Sequence, residues 1–369
     1  MRRTRIVRRV SIFLAMFAVL LIAAGSPVLA QVAAQTVATD AAAVATESPA
    51  WDVFTVLGVD VQPGTKHKLT SMELNDFVGM RMAVPVWIAR GARPGKTLAV
   101  TAGIHGDEIN GVEIARRLFV ETDPDQLSGT LVVLPLLNRH GFLAGSRYMS
   151  DRRDLNRAFP GDPVGSSAGI TAHSVFAPVI LRSDALIDLH TASDTRVNLP
   201  QIRTKLASQP ALELARAFGA GVVLNGAGPA GSLRRSALDA GIPAIIYEAG
   251  GVLVLELDEI ERGLTGIRNI MRHLGMLAAA GDEPETATVY DKTLWLRVPP
   301  GAAGMFLTKR RPGDEVRRGD VLGVVVDPLS DQEASIVSPA DGLIIGMEKP
   351  NVVYTGDALF HLGLEKLAK

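Results

Sequence analysis

Three short apolar runs each end in residues that can do chemistry. Gly103-Ile104-His105-Gly106-Asp107-Glu108 closes the run at 98–104, Asp188-Leu189-His190-Thr191 closes 185–189, and Tyr247-Glu248-Ala249-Gly250-Gly251 closes 244–247. A histidine and a carboxylate three residues apart at the start of a helix can close on one cation. A second histidine from a neighbouring strand end would complete a His-Glu-His set. Three protein ligands plus one open position is the layout of a catalytic zinc rather than a structural one. The open position takes a water whose pKa the metal lowers towards neutrality. Glu248 is then a free carboxylate able to accept that proton. Each piece alone has a plainer meaning. His105 with Glu108 is also a helix start with favourably placed acids, and His190 is also a core histidine with satisfied ring nitrogens. The coincidence of three such strand ends favours the metal. Asp188, two residues before His190, is expected on the opposite face of its strand, serving packing or supporting the ligands rather than binding.

A second constellation is Arg147-Tyr148-Met149-Ser150-Asp151-Arg152-Arg153-Asp154-Leu155-Asn156-Arg157, followed by Ala158-Phe159-Pro160-Gly161. An arginine presents a planar fork that holds a carboxylate through two bonds. A solvated charged loop is the commoner use of such a run, but the apolar residues that follow mark this loop as anchored.

These residues need a scaffold that brings strand ends together. Apolar runs at 98–104, 131–137, 185–189, 221–224 and 244–247 suit strands buried on both faces. Helix patterns at 109–121, 171–181, 210–218, 231–240 and 256–280 alternate with them. That alternation predicts a largely parallel α/β sheet with helices on both sides. Ligands of such sheets bind beyond the carboxyl ends of the strands. The β-like run at 80–89 is expected to extend the sheet at one edge. After 284 the pattern changes to short β runs at 294–298, 304–307, 321–326, 342–347 and 358–362, punctuated by Gly and Pro, which predicts a small all-β barrel or sandwich. The resulting organisation is 1–30 leader, 31–50 linker, 51–283 catalytic domain and 284–369 C-terminal β domain.

Together, His105-Gly106-Asp107-Glu108, Asp154-Leu155-Asn156-Arg157, Asp188-Leu189-His190-Thr191 and Glu248-x-Gly250, in this order, resemble the succinylglutamate desuccinylase/aspartoacylase family, relatives of the zinc carboxypeptidases. The resemblance covers residues 95 to 280 strongly and the C-terminal β segment more loosely. It implies a zinc-carboxypeptidase-like mixed, largely parallel sheet flanked by helices, with a barrel-sandwich-like C-terminal β domain. It implies one Zn2+ per chain on His105, Glu108 and His190, with Glu248 as general base. Asn156 and Arg157 would hold a free carboxylate of a small-molecule substrate, and Arg147 would stabilise the oxyanion. Arg147 stands farther from Asn156 than is usual in the family. The implied reaction is hydrolysis of the amide of an N-acyl amino acid, with carboxypeptidase action on peptides as the alternative.

Two other echoes compete. Gly226-Ala227-Gly228-Pro229-Ala230-Gly231 fits the G-x-G-x-x-G pattern of a dinucleotide site, with Glu248 about 20 residues on. That reading leaves His105, Glu108 and His190 unexplained, and a tight glycine turn feeding a helix accounts for the same residues. Residues 312–323 and 338–342 are similar to biotinyl/lipoyl-type modules, but Gly346-Met347-Glu348-Lys349 lacks the Met-Lys-Met carrier turn, so no attachment is expected. A binding protein on a decayed hydrolase fold is disfavoured by the intact ligand set and Glu248.

The remaining boundaries come from composition. The 369 residues are 47% hydrophobic and 21% charged, with a net charge of -1, which gives no basic surface for nucleic acid. The absence of cysteine excludes disulfides, thiolate metal sites and Cys nucleophiles. Residues 1–9 carry five arginines and no acid, an apolar stretch follows to Gly25, and Val28 and Ala30 precede an expected cut. That is the layout of a secretory signal peptide; its alternative is an uncleaved anchor. Its removal leaves 33 basic and 39 acidic residues. An exported, periplasmic or secreted protein is therefore expected, meeting a membrane only through its leader. The oligomeric state is not legible.

Overall fold

The computed structural model describes residues 54–71, 74–77, 80–279 and 284–367. The expected leader and linker, and the boundary at 283/284, lie outside the described residues. No described helix is long and apolar enough to cross a membrane.

The scaffold is a thirteen-stranded mixed sheet. Its centre is parallel: Ala244–Gly250 pairs Ala185–His190, which pairs Arg93–Ala102, which pairs Ser128–Leu134. Pro85–Arg90 and Thr65–Thr70 extend that side antiparallel; of the run expected at 80–89 only this later part joins the main sheet, because Met80–Met82 pairs with Leu74–Phe77 in a separate two-stranded sheet. Along Arg93–Ala102, Leu98, Val100 and Ala102 face one core and Ala99 the other, the period-two alternation of a strand covered on both faces. The first core is closed by helices Asn110–Glu121, Gln209–Phe218 and Leu257–His273, through Ile114, Leu118, Leu214, Phe218, Ile260, Leu264 and Ile267. The second is closed by Ser167–Phe176 and Leu233–Asp239, through Ala168, Ala172, Val175, Leu233 and Ala237.

A strand near the centre of this sheet is absent from the sequence expectations. Arg196–Thr204 runs antiparallel to Ala244–Gly250, and its register slips between Asn198 and Gln201. Pro200 sits in that slip, where a missing N–H breaks no ladder bond. The strand's other edge is shared. Its first half pairs with Gly342–Glu348 and its last three residues pair parallel with Val222–Asn225.

The C-terminal segment is all β, as expected. Gly342–Glu348, Ala358–Gly363 and Thr293–Arg297 continue the main sheet antiparallel. Glu333–Val337, Val321–Val326, Gly304–Thr308 and Val352–Val353 form a separate four-stranded antiparallel sheet. Phe306, Leu322, Val325, Ile336, Ile344, Phe360 and Leu362 pack in one core there.

Candidate metal centre

Parallel pairing sets the site. In the Ala185–His190 and Ala244–Gly250 ladder, His190 lies directly opposite Glu248. The adjacent strand, Arg93–Ala102, ends just before Gly103, whose φ of +60° turns the chain into the His105–Glu108 loop. Gly106 has no room for a side chain: a Cβ there would fall 1.9 Å from the Gly141 carbonyl carbon. That contact seats the loop on the short helix Arg139–Ala144. Asn138 caps this helix, accepting from Gly141 N at 2.8 Å, and its amide donates to Arg147 O at 3.2 Å. One asparagine thus ties the His105 loop's support to the arginine loop.

His105, Glu108 and His190 converge. Their ligand atoms lie within 4.8 Å of one another, and all three residues are buried. The Nδ1 atoms of His105 and His190 stand 2.6 and 2.8 Å from the two oxygens of Glu108. Each imidazole gives its other nitrogen to a carboxylate: His190 Nε2 to Asp188 at 2.9 Å, and His105 Nε2 to Asp154 at 3.2 Å. Asp188 in turn accepts from Thr101 Oγ1 at 2.6 Å. Metal-binding histidines are oriented in this way, with the far nitrogen on a carboxylate and the near one aimed at the ion. The donor set is therefore that of a divalent metal site with an open side. Asp188 does not point to the opposite face, as expected above. Residues two apart share a strand face, so it stands beside His190 and fixes the ring.

The electrostatics agree. Burial disfavours the His190 imidazolium, but Asp188 and Glu108 outweigh it and hold its pKa at about 10. Burial also opposes ionisation of Glu108, yet the two imidazoles keep its pKa well below the usual carboxylate range. A metal needs the neutral nitrogen. At pH 7 the ion-free His190 is protonated, so ion uptake must expel protons, and affinity must rise with pH towards 10. Adding Zn2+ to metal-free protein at pH 7 is expected to acidify a weakly buffered solution, and to give heats that differ between buffers of unlike ionisation enthalpy. Identical heats would contradict the assignment. In the metal-free protein the raised His190 pKa contributes stability fully below about pH 6.5, the ordinary value, and loses it as pH rises through about 10.

The cavity over this cluster measures about 190 Å³ and is lined by every residue singled out as ligand, base or substrate contact. Glu248 is placed by two neighbours: Asn198 Nδ2 donates to its Oε2 at 2.5 Å, and Arg203 Nη2 lies 3.1 Å from the same oxygen. Both contacts use Oε2. Arg147 reaches the ligands, with Nη1 3.3 Å from Glu108 Oε1, and its Nε and Nη2 clasp Asp154 Oδ2 at 3.2 and 2.9 Å. Asn156 is buried, and its Oδ1 accepts from Leu233 N at 2.9 Å, leaving its amide nitrogen to donate. Arg157 is half-exposed and gives Nη1 to Asn156 O at 2.7 Å.

Residues 94–274 match the model of the succinylglutamate desuccinylase/aspartoacylase catalytic domain. That segment carries the family's catalytic domain. It is 27% identical over 290 residues to an N-alpha-acetyl-L-2,4-diaminobutyric acid deacetylase of Halomonas elongata, spanning 75% of this chain and 84% of that one. A succinylglutamate desuccinylase/aspartoacylase structure from Rhodobacter sphaeroides superposes with a TM-score of 0.75 at 22% identity, over 85% of this chain and all of the other. A product-bound ectoine utilization protein from Ruegeria pomeroyi gives 0.73 at 24% identity, over 81% of this chain and 95% of its own. These superpositions establish the shared fold over both the catalytic and C-terminal parts.

Within this family scaffold the glycine pattern at 226–231 has its own use. Gly231, at φ +78°, lies against Arg157, and a Cβ there would fall 2.4 Å from Arg157 O. Asn156, not a phosphate, takes the N–H at the start of the helix Leu233–Asp239. The glycines thus lock the Arg157 segment into the site, and Glu248 stands beside His190.

Among the cavity residues not read from the sequence are Arg196, Asn198, Arg203, Arg234 and Trp295. Three belong to the strand that Pro200 disguised. Trp295 comes from the C-terminal segment, where its indole stacks on His361 at 4.1 Å. Arg234 sits in the helix after the glycine loop, where it reads as a surface charge.

Proposed function

We propose that the protein is an exported, zinc-dependent amidohydrolase that cleaves the amide of an N-acyl amino acid or a similar small, carboxylate-bearing amide. The observation that carries this is the pairing of an open His105-Glu108-His190 set with Glu248 directly opposite His190. The catalytic-domain match and the deacetylase relative support the amide bond as target. The cavity supports a small molecule over a peptide, since about 190 Å³ lies below the range of drug-sized sites. Export rests on the arginine-rich, apolar leader alone.

A zinc ion in the His-Glu-His set supplies Lewis-acid polarisation of the carbonyl and ionisation of a water. The chain supplies the rest. Glu248, oriented through Oε2 by Asn198 and Arg203, takes the water's proton and returns it to the departing nitrogen. Arg147, held by Asp154, offers its guanidinium to the developing oxyanion. Asn156 and Arg157 hold the substrate's free carboxylate.

The test is hydrolysis of a panel of N-acyl amino acids by zinc-loaded protein, with short peptides and amidated analogues alongside. Release of the free amino acid from acyl amino acids, with poor turnover of peptides, is the expected outcome. Arg157→Lys is expected to lower kcat/KM for free-acid substrates, because an ammonium cannot reproduce the two-bond fork. Equal turnover of amidated and free-acid substrates would remove the carboxylate role.

A further inference from the structure

The separate four-stranded sheet of the C-terminal segment is apolar on both faces. Its inner face puts Phe306, Leu322, Val325 and Ile336 into the core. An antiparallel sheet covered on one side ordinarily turns polar residues to water on the other, yet the outer face here is aliphatic. Met305 pairs with Val352 on one side and Val326 on the other, and Leu307 pairs with Val324. At the far end Val321 pairs with Val337. Met305, Leu307, Val321, Val337 and Val352 are each between 41% and 62% exposed, and Val324 and Val326 are half-buried. These residues occupy three successive cross-strand rows, so they form one contiguous patch rather than scattered exposures.

The two ends of this patch carry opposite charge. Residues 327–333, beyond Val326, include Asp327, Asp331 and Glu333 and no base. Residues 309–320, beyond Leu307, include five bases against Asp314, Glu315 and Asp320. Those three acids are already taken: Asp320 pairs with Arg310, Asp314 with Arg311, and Glu315 with Lys366. Lys309, Arg317 and Arg318 stand exposed with no ion pair among the described residues.

We propose that this face is the contact between two copies of the chain. Closed pairs of identical subunits are two-fold symmetric, so a single patch must complement itself. Leu307, Val324 and Ser335 form the middle row. A two-fold axis lying in the face along that row, across the strands, stacks the two sheets with their strands antiparallel. It brings the acidic end of one copy over the basic end of the other and buries the aliphatic rows between them, as in sheet-on-sheet packing. The charge pattern suits a second copy better than a lipid surface, which attracts bases and repels the acids at 327–333. None of these residues lines the metal cavity, so the contact stands independently of the hydrolase reading.

Analytical ultracentrifugation of the purified protein at roughly 100 µM is expected to show a dimer that dissociates on dilution. Leu307→Lys sets two ammonium groups against each other on the axis and is expected to weaken the dimer about 100-fold. Its circular dichroism should match wild type, since the side chain is exposed. Reversing the acidic end with Asp331→Lys and Glu333→Lys is expected to weaken association about 10-fold. Reversing the basic end as well, with Arg317→Glu and Arg318→Glu, is expected to restore it, and this exchange decides the matter if Leu307→Lys fails to fold. A further arm uses the absence of cysteine from the chain. In Ser335→Cys the two thiols face each other across sheets stacked about 10 Å apart, so a bismaleimide of about 10 Å span is expected to give a covalent dimer. Leu181→Cys, exposed elsewhere, is expected to give none. A monomer at roughly 100 µM overturns the proposal, as does a dimer that Leu307→Lys and the single-end reversal leave untouched. Crosslinking of Ser335→Cys no better than that of Leu181→Cys overturns it too. A monomer that instead sediments with phosphatidylglycerol vesicles also overturns it and hands the face to a lipid.

Discussion

Glu248→Gln is expected to keep its zinc and its fold while losing about 10²–10⁴-fold of its turnover, the usual cost of removing a general base. The change is nearly isosteric. It leaves an oxygen that Asn198 can still donate to, as it now does at 2.5 Å. What disappears is an acceptor basic enough to take a proton from water. Zinc content, melting temperature and kcat measured on one preparation separate this outcome from simple unfolding. Survival of hydrolysis within a few-fold of wild type would mean that another group is the base. The same variant also tests the dinucleotide alternative, in which it would weaken nucleotide binding and zinc would have no role.

His190→Ala should lose both the metal and the activity. The histidine is one of three ligands, and its removal leaves two that are already engaged with each other, His105 Nδ1 at 2.6 Å from Glu108 Oε1. Two ligands on one loop do not make the three-ligand set of a catalytic zinc. The substitution also leaves Asp188 buried without its imidazole partner, at a site where an uncompensated charge is costly. Some loss of stability should therefore accompany the loss of zinc. Elemental analysis of the purified variant is the decisive measurement. A fully active, metal-free preparation of wild type or variant would refute the zinc assignment.

The parts of the site that sequence alone disclosed share one property: they sit at the ends of continuous apolar runs. His190 and Glu248 follow runs buried on both faces, and such runs announce themselves by composition. His105 and Glu108 gain their meaning from the same rule. The helices that close the two cores are legible because their apolar spacing is regular, although the expected 256–280 runs seven residues past Leu257–His273 and the expected 171–181 lies four to five residues beyond Ser167–Phe176. Arg196–Thr204 was missed for an equally physical reason. It reads Arg-Val-Asn-Leu-Pro-Gln-Ile-Arg-Thr, and its Pro200 argues against a central strand unless a bulge takes it. With that strand hidden, Asn198 and Arg203 had no address. Arg234 was invisible for another reason: a helical arginine is ordinarily solvated, and only packing reveals that this one is enclosed. The face of Asp188 was misjudged by a parity error, not by any lack of signal.

Asn198 orients Glu248, and it stands opposite Gly346 in the ladder with Gly342–Glu348. A Cβ on Gly346 would fall 2.5 Å from Asn198 Oδ1. The last quarter of the chain therefore supplies the vacancy into which the base's own support fits, and Trp295 from the same quarter forms part of the cavity wall. Contacts so distant in sequence close late and slowly in folding. A chain still being made would hold its metal ligands before it held its base in place. Competence would arrive only when the final strands zip onto residues 196–198, so the hydrolase would be timed by its own completion.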